Sequence, residues 1–231
     1  MCKIAILLLL IPGIVRAQES GDNVSSSQSA TLTAVSSQTD EGRWSVRIGV
    51  VGATYQSGAT IAAGGFAIPG ASATVSNNAS VTVDIGCGIT KNISAQLMVG
   101  IPPKPTITAD GTVAALGELG SVRYGPAILS GLYRVRRFGA FQPYAGPGVA
   151  YAIILKEFDG AVSGLDVKNN FGFVIQGGAE YTVARKWNVF VDFKEVWLAV
   201  DGTGVITGLA PVMAHVKLNP SLVSTGLKYR F

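Results

Sequence analysis

The chain has 231 residues, of which 48% are hydrophobic and only 14% are charged. Soluble domains carry about 25% charged residues, so this composition is unusually apolar, and it excludes intrinsic disorder of the whole chain. No uninterrupted apolar stretch reaches the ~18–20 residues of a transmembrane helix, and 29 glycines disfavour long helices. Two classes remain, a soluble all-β protein and a membrane β-barrel. The formal net charge is +4, but no Lys/Arg cluster interleaves with aromatics, so we expect no nucleic acid partner.

The first segment has the pattern of an export signal. A positive start at Lys3 is followed by an apolar stretch over residues 4–15 and by Ala17. This pattern predicts a cleavable signal peptide over residues 1–17. Residues 18–42 are rich in Ser, Thr and Gln and nearly lack large apolar residues, which predicts a flexible leader. The folded part should then cover residues 43–231.

From residue 43 onward, apolar and polar residues alternate, which indicates strands with one apolar face. Eight runs show this period: residues 44–50, 81–89, 93–99, 126–136, 141–155, 171–183, 189–193 and 223–231. A tilted strand needs about 9–11 residues to cross a bilayer, and most of the runs have a comparable length. Alternation alone does not say whether the apolar face points inward, as in a sandwich, or outward, as in a membrane barrel.

Three further features favour the barrel. Short and long connections alternate along the chain, as in bacterial barrels. Aromatic residues lie at both ends of the apolar faces: Trp44, Phe141, Tyr181, Trp187, Tyr229 and Phe231 on the short-turn side, and Tyr55, Tyr151, Phe171 and Trp197 on the other. The last run ends on Phe231, as in barrels recognised by their insertion machinery. The prediction is therefore an all-β protein, an eight-stranded antiparallel transmembrane β-barrel of the bacterial outer membrane.

The residues also carry a family likeness. Residues 141–151 read Phe-Gln-Pro-Tyr-Ala-Gly-Pro-Gly-Val-Ala-Tyr, which resembles the fifth strand of OmpW-type outer-membrane proteins. Residues 97–107, with Pro102 and Pro103, are similar to that family's third strand and its apolar exit. Residues 186–187 and 217–231 resemble its seventh strand, last loop and closing strand. This resemblance implies a small channel for hydrophobic molecules, with a narrow lumen, an apolar extracellular passage and sideways release into the outer leaflet.

If the apolar faces point outward, the charged residues of the runs gather in the lumen. The predicted set is Arg47, Asp84, Arg134, Arg136, Glu180, Asp192, Lys194, Lys228 and Arg230. Unpaired charges cannot be buried at low cost, so we expect a salt-bridged network. Two interpretations stay open at this point. The network either plugs the periplasmic half and directs apolar cargo sideways, or simply fills and rigidifies a small barrel.

Three long connections are unusually apolar for external loops, which are normally polar. They predict an apolar entrance above the barrel, with Phe66, Ile68, Leu116, Ile206 and Met213 as candidate residues. Alternatively, these segments extend the strands past the membrane and pack on one another.

Candidate residues for the passage wall are Met98, Ile128, Gly146, Gly148 and Leu222. The two glycines could instead relieve crowding between strands. Pro143 and Pro147 lie inside a predicted strand and lack the donor that pairing requires, so we take them as the candidate lateral exit.

No motif predicts an enzyme. His215 is the chain's one histidine and has no matching serine, no Cys/His/Asp spacing fits zinc, and no glycine-rich loop fits a phosphate cofactor. We therefore expect no catalytic residues, metal or cofactor. The expected partners are outer-membrane lipids, small hydrophobic solutes and the barrel-insertion machinery through Phe231. The alternative function is a structural or adhesive outer-membrane barrel that acts through its extracellular loops.

Overall fold

A computed structural model describes residues 43–56, 58–135, 137–206 and 211–231. The predicted signal peptide (1–17), the predicted leader (18–42) and Arg136 lie outside the described residues. No helix in this part of the chain is long and apolar enough to cross a membrane. The described strands are β1 (Trp44–Tyr55), β2 (Gly58–Ala63), β3 (Phe66–Ala67), β4 (Ala71–Val75), β5 (Asn78–Gly88), β6 (Ile93–Gly100), β7 (Thr106–Gly111), β8 (Glu118–Arg134), β9 (Phe141–Asp159), β10 (Val162–Val167), β11 (Asn170–Thr182), β12 (Trp187–Trp197), β13 (Ala199–Ile206), β14 (Pro211–Lys217) and β15 (Pro220–Arg230), with a 3₁₀ turn at Ala114–Leu116.

Eight of these strands form a closed antiparallel barrel. Their order is β1, β5, β6, β8, β9, β11, β12 and β15, and β15 pairs back with β1. These eight strands coincide with the eight alternating runs, so the predicted fold class is confirmed. Closure leaves the barrel no unpaired edge, which a membrane-spanning sheet requires because lipid offers no hydrogen bonds.

The two ends of the barrel differ, as the connection lengths predict. Short turns join β5 to β6, β8 to β9 and β11 to β12 at one end, here called the short-turn end. The chain also closes there, since the Phe231 amide donates to the Trp44 carbonyl at 3.1 Å. The long connections leave from the opposite end, here called the loop end, and contain the seven remaining strands.

Most of the apolar long connections are strands. β4 and β7 extend the barrel sheet beside the upper part of β8. A separate five-stranded sheet has the order β10, β13, β14, β2 and β3. Thus the second interpretation of these segments, in which they extend the strands and pack together, describes their backbone correctly.

Side-chain exposure fixes the orientation of the wall. In β1, Ile48 is 58% exposed and Val50 is 57% exposed, whereas Arg47, which points to the other face, is 2% exposed. The outer face is therefore apolar and the lumen charged, the reverse of a water-soluble core. Aromatic pairs mark both ends of the outer face, including Trp187 with Tyr229 and Phe173 with Trp197. One prediction here is wrong: Tyr55 lies inside the barrel, packed against its apolar core, and not in the outer aromatic belt.

Candidate functional site

The inward-facing side chains change from polar to apolar along the barrel axis. In β12, Asn188, Asp192 and Lys194 face the lumen nearer the short-turn end, with Phe190 among them, and Val196 follows; Leu198 is buried just after the strand. Other strands show the same order. The apolar half forms one buried cluster: Val51, Ala53, Met98, Tyr124, Ile128, Ala150, Ala152, Val174, Val196, Leu198 and Leu222.

In the polar half, Glu180 is the centre of the ion pairs. Its carboxylate accepts hydrogen bonds from Lys228 at 2.8 and 3.0 Å and from Arg230 at 3.0 Å, and it also pairs with Arg47. Arg134 lies 3.7 Å from the same carboxylate. Since Glu180 is 1% exposed, these cations replace the water that an isolated carboxylate would need.

Asp192 forms a second centre beside Glu180. It pairs with Lys194, accepts a hydrogen bond from the Tyr144 hydroxyl at 2.6 Å, and lies 3.6 Å from Arg47. Asp84 is opposite Arg47 in the β1–β5 register and accepts from the Gln96 amide at 2.7 Å. Arg47 therefore links the two centres.

Eight predicted lumen residues are thus brought into one lumen charge network: Arg47, Asp84, Arg134, Glu180, Asp192, Lys194, Lys228 and Arg230. Arg136, the ninth, lies outside the described residues. Sequence analysis missed the neutral members Gln96, Tyr144, Gln176 and Asn188, although their inward positions follow from the alternation. The network fills the lumen at this level with buried, mutually bonded side chains.

Beyond the apolar cluster, the strands at the loop end enclose a cavity, here called the loop-end cavity. It has a volume of about 1090 Å³, solvent at its mouth included. Its lining is almost wholly apolar and comes from β2, β4, β7, β10, β13 and β14 together with the barrel strands. Ile68, Leu116 and Ile206 line it. Phe66 and Met213 are exposed, 81% and 59%, and point away from it.

A second cavity, here called the wall cavity, lies deeper in the barrel. Its volume is about 620 Å³, again with open space included. Three of the predicted passage residues, Met98, Ile128 and Leu222, line it. Its lining also includes Ile101 and Tyr151, whose side chains belong to the outer face, so this cavity reaches the barrel surface.

The wall cavity reaches the surface where the pairing of two strands is interrupted. β6 pairs with β8 from Ile93–Tyr133 to Val99–Ala127, and the pairing stops there. Contact resumes only where the Tyr124 amide donates to the Pro103 carbonyl at 3.3 Å. Pro102, Pro103 and Pro126 lie in or beside the interruption, and proline lacks the N–H that would pair the strands.

The four remaining candidates for the passage wall and the lateral exit line neither cavity: Pro143, Gly146, Pro147 and Gly148. Pro143 and Pro147, the candidate lateral exit, remain in register with Ala179 and Ile175 of β11. On the other side of β9, the pairing with β8 skips the positions between Gly148 and Ala145, which include Pro147. Gly146 and Gly148 do not line either cavity. A Cβ at Gly146 would collide with the Gly131 carbonyl oxygen, and one at Gly148 would lie 2.8 Å from the Leu129 oxygen. These glycines allow close packing of β8 on β9, the alternative that the sequence left open.

Two tyrosines separate the cavities. Tyr124 and Ala152 line both cavities, and Tyr55 lines the loop-end cavity. The Tyr55 and Tyr124 hydroxyls lie 2.5 Å apart, and the Asn78 amide donates to Tyr55 at 3.1 Å. Sequence analysis missed this pair, because Tyr55 was assigned to the outer aromatic belt.

Comparison with known proteins identifies the architecture. The model of the OmpW family matches residues 40–231. The outer membrane protein AlkL of Ectopseudomonas oleovorans is 32% identical over 168 residues, 73% of each chain. The dibenzothiophene metabolism operon protein PahQ of Pseudomonas aeruginosa is 30% identical over 192 residues, 83% of this chain and 90% of PahQ. The crystal structure of OprG from Pseudomonas aeruginosa superposes with a TM-score of 0.76 at 19% identity, covering 83% of this chain and 96% of OprG.

Proposed function

The chain belongs to the OmpW family and lies in the bacterial outer membrane, and on that premise we propose that it is a channel for passive uptake of small hydrophobic molecules. Cargo enters the loop-end cavity from outside the cell and passes Tyr55 and Tyr124 into the wall cavity. It leaves between β6 and β8 into the membrane.

The observation that carries this proposal is the contrast between two apolar cavities and a charged lumen below them. A hydrophobic solute gains by leaving water for the apolar lining. It gains nothing by crossing the lumen charge network, where it would have to break buried ion pairs around Glu180. The solute therefore leaves more easily sideways, through the interruption in the β6–β8 pairing between Val99 and Pro103.

The cavities also indicate which solutes fit. Their polar lining is slight, so a solute with unpaired donors or acceptors would lose hydrogen bonds on entry. PahQ is named for dibenzothiophene metabolism, and a flat apolar ring compound of that kind satisfies this condition.

The adhesive alternative depends on the surface presented at the loop end. There the apolar side chains of β2, β10, β13 and β14 are largely turned into the loop-end cavity, among them Ile61, Val162, Ile206 and Val212. A surface built for an apolar partner would expose them. Phe66 and Met213 are the exceptions among the predicted entrance residues. This distribution supports transport over adhesion.

The test is a substitution that fills the junction of the two cavities. Ala152 is 2% exposed and lines both cavities, so Ala152→Phe places a ring in the proposed path. Ala145 lies in the same strand but is exposed on the outer face, so Ala145→Phe is the matched control. The measurement is the initial rate of dibenzothiophene uptake by cells with equal amounts of folded wild-type or variant barrel in the outer membrane.

We expect Ala152→Phe to reduce the protein-dependent rate to near the level of cells without the barrel, with Ala145→Phe at the wild-type rate. Equal rates for all three proteins would contradict the proposed path. Heat-modifiable migration on a gel monitors folding of each variant, so a folding defect is not read as a blocked passage.

A further inference from the structure

Three cations surround one aromatic ring on the outer face near the loop end. Lys104 Nζ lies 4.0 Å from the centroid of the Phe158 ring, Lys156 Nζ lies 5.2 Å away and Arg123 Cζ lies 5.9 Å away. They come from three segments: the connection after β6, β9 and β8. All three side chains are exposed. We call Lys104, Arg123, Lys156 and Phe158 the basic cluster.

Among the described residues, the basic cluster has no carboxylate within ion-pair distance. Arg123 and Lys156 are directly opposite each other in the β8–β9 register, an arrangement in which like charges repel. In the described part of the chain, no ion pair joins any of the three cations to a carboxylate. The neighbouring Asp159 carboxylate is turned elsewhere and accepts hydrogen bonds from the Gly164 and Leu165 amides at 3.0 and 3.1 Å.

The local register places Arg123 and Lys156 on the same side of the wall. The β8–β9 pairing shifts between Arg123 and Tyr124, so that Leu155 is an extra residue in β9. Such a bulge re-aims the side chains that follow it. Leu155 and Lys156 are consecutive, and both are exposed. The repulsive pair is therefore built into the sheet by a local irregularity.

The basic cluster lies where the apolar outer face ends. Along β9, the exposed residues Val149, Ile153 and Leu155 precede Lys156. In the connection after β6, exposed Ile101 precedes Lys104. A change from lipid-facing apolar side chains to basic ones marks the level of the lipid headgroups on the extracellular side.

We propose that the basic cluster binds a phosphate group in the headgroup of an outer-leaflet lipid. The phosphate supplies the negative charge that the three cations lack, with Arg123 offering paired donors and the two lysines point charges. The acyl chains of that lipid would then lie along Ile153, Leu155 and Ile101. This path passes the opening between β6 and β8, since Ile101 and Pro103 also line the wall cavity.

A lipid headgroup explains the position better than a soluble anion does. A site for free phosphate needs no apolar surface beside it, whereas these cations adjoin a continuous lipid-facing strip. All three cations lie near one point, the centroid of the Phe158 ring, and the ring contributes no competing anionic acceptor. The inference does not depend on transport, because headgroup binding can occur in a barrel that moves no cargo.

The test is a lipid titration of the purified full-length barrel in detergent micelles, followed by native mass spectrometry. The probes are lipid A with two phosphates, lipid A with one phosphate, phosphatidylcholine and inorganic phosphate. The test variant is Lys104→Gln/Arg123→Gln/Lys156→Gln. The control variant is Lys91→Gln/Lys168→Gln/Arg185→Gln, which removes three exposed cations elsewhere and so the same net charge.

We expect the wild type to bind diphosphorylated lipid A more tightly than the other three probes. Each cation near an anionic lipid surface changes affinity by about fivefold, so the cluster variant should lose roughly a hundredfold. The control variant should bind as the wild type does. An equal loss in both triple variants would overturn the proposal, because it would show attraction by net charge alone. Inorganic phosphate bound as tightly as lipid A would also overturn it.

A second measurement guards against a folding defect in the triple variant. The variant Lys104→Arg/Lys156→Arg keeps the positive charges and should retain lipid A binding. Loss of lipid A binding in that variant, with an intact barrel, would contradict a charge-based site. Uptake of dibenzothiophene is measured in parallel. Lost lipid binding with normal uptake would leave the transport proposal standing, and the reverse result would leave the lipid site standing.

Discussion

The hydroxyl oxygens of Tyr55 and Tyr124 lie 2.5 Å apart inside the barrel, at the junction of the loop-end cavity and the wall cavity. Tyr55 belongs to β1 and Tyr124 to β8, which are not neighbours in the barrel. The pair therefore crosses the lumen. It narrows the proposed path with two rings that one hydrogen bond joins, so size and polarity at this point can be varied separately.

Substitutions at Tyr55 separate those two effects. Tyr55→Phe removes the hydrogen bonds to Tyr124 and Asn78 but keeps the ring, so stability should fall by about 1 kcal/mol with uptake little changed. Tyr55→Ala also removes the ring, and the rate of dibenzothiophene uptake should rise. Urea unfolding in micelles and whole-cell uptake provide the measurements. Slower uptake by Tyr55→Ala, with the barrel folded, would show that the ring is not a constriction.

Glu180 is predicted to be the least replaceable residue of the lumen charge network. Glu180→Gln would leave Arg47, Lys228 and Arg230 without their shared carboxylate. Removing one partner from a buried ion pair costs about 3–5 kcal/mol, so we expect a loss of at least that size. Denaturant unfolding of the purified barrel measures it. Glu118→Gln, on the exposed start of β8, is the control and should leave stability unchanged. A stable Glu180→Gln barrel would mean that the network is dispensable for the fold.

Two glycines on neighbouring strands, Gly131 of β8 and Gly146 of β9, test the packing of β8 on β9. Gly146→Ala would place a methyl group against the Gly131 carbonyl oxygen, whereas a Cβ on Gly131 has no atom within 4 Å. Overpacking costs about 1–3 kcal/mol, and more where backbone must move. We therefore expect Gly146→Ala to lower folding yield and melting temperature, and Gly131→Ala to leave both unchanged. Equal melting temperatures for the two variants would contradict this packing.

The hairpin between β9 and β10 should depend on pH through Asp159. The Gly164 and Leu165 amides donate to its carboxylate, and these hydrogen bonds lower the pKa of Asp159 below its usual value. Because the folded pKa is depressed, the stabilisation is fully present above the unfolded pKa and is lost as pH falls through the folded pKa. An NMR titration of the Gly164 amide should give a midpoint below the ordinary range for aspartate. A midpoint within that range would indicate that the turn does not bind the carboxylate.

Much of the fold could be predicted from the alternation of apolar and polar residues. The period of two located the eight barrel strands, and the uneven connections gave the two ends of the barrel. The same alternation predicted which charged residues face the lumen, and Arg47, Glu180 and Lys228 are indeed buried. Alternation could not describe the long connections, because strands such as β2 and β14 pair with each other at long sequence separation.

The candidate site was harder to predict from the sequence. Met98, Ile128 and Leu222 were identified from their inward positions and apolar character. Pro143 and Pro147 were taken as a lateral exit because proline lacks a pairing donor. There β9 stays in register with β11, while its pairing with β8 is interrupted at Pro147, so this role stays a prediction. The interruption between β6 and β8 depends on where β6 departs after Gly100, which is a property of strand packing and not of one residue type. The roles of the passage and entrance residues stay predictions, as does recognition of Phe231 by the insertion machinery.

Sideways release is tested most directly by measuring uptake through a barrel whose wall is cross-linked between β6 and β8. If the β6–β8 register continued past Val99–Ala127, Ile101 would lie opposite Gly125, so a disulfide in Ile101→Cys/Gly125→Cys would join the strands across the opening. Leu97→Cys/Leu129→Cys joins the same strands where they are already paired and is the matched control. We predict that the first cross-link stops dibenzothiophene uptake until it is reduced, while the second has no effect. Undiminished uptake through the oxidised Ile101→Cys/Gly125→Cys barrel would contradict sideways release.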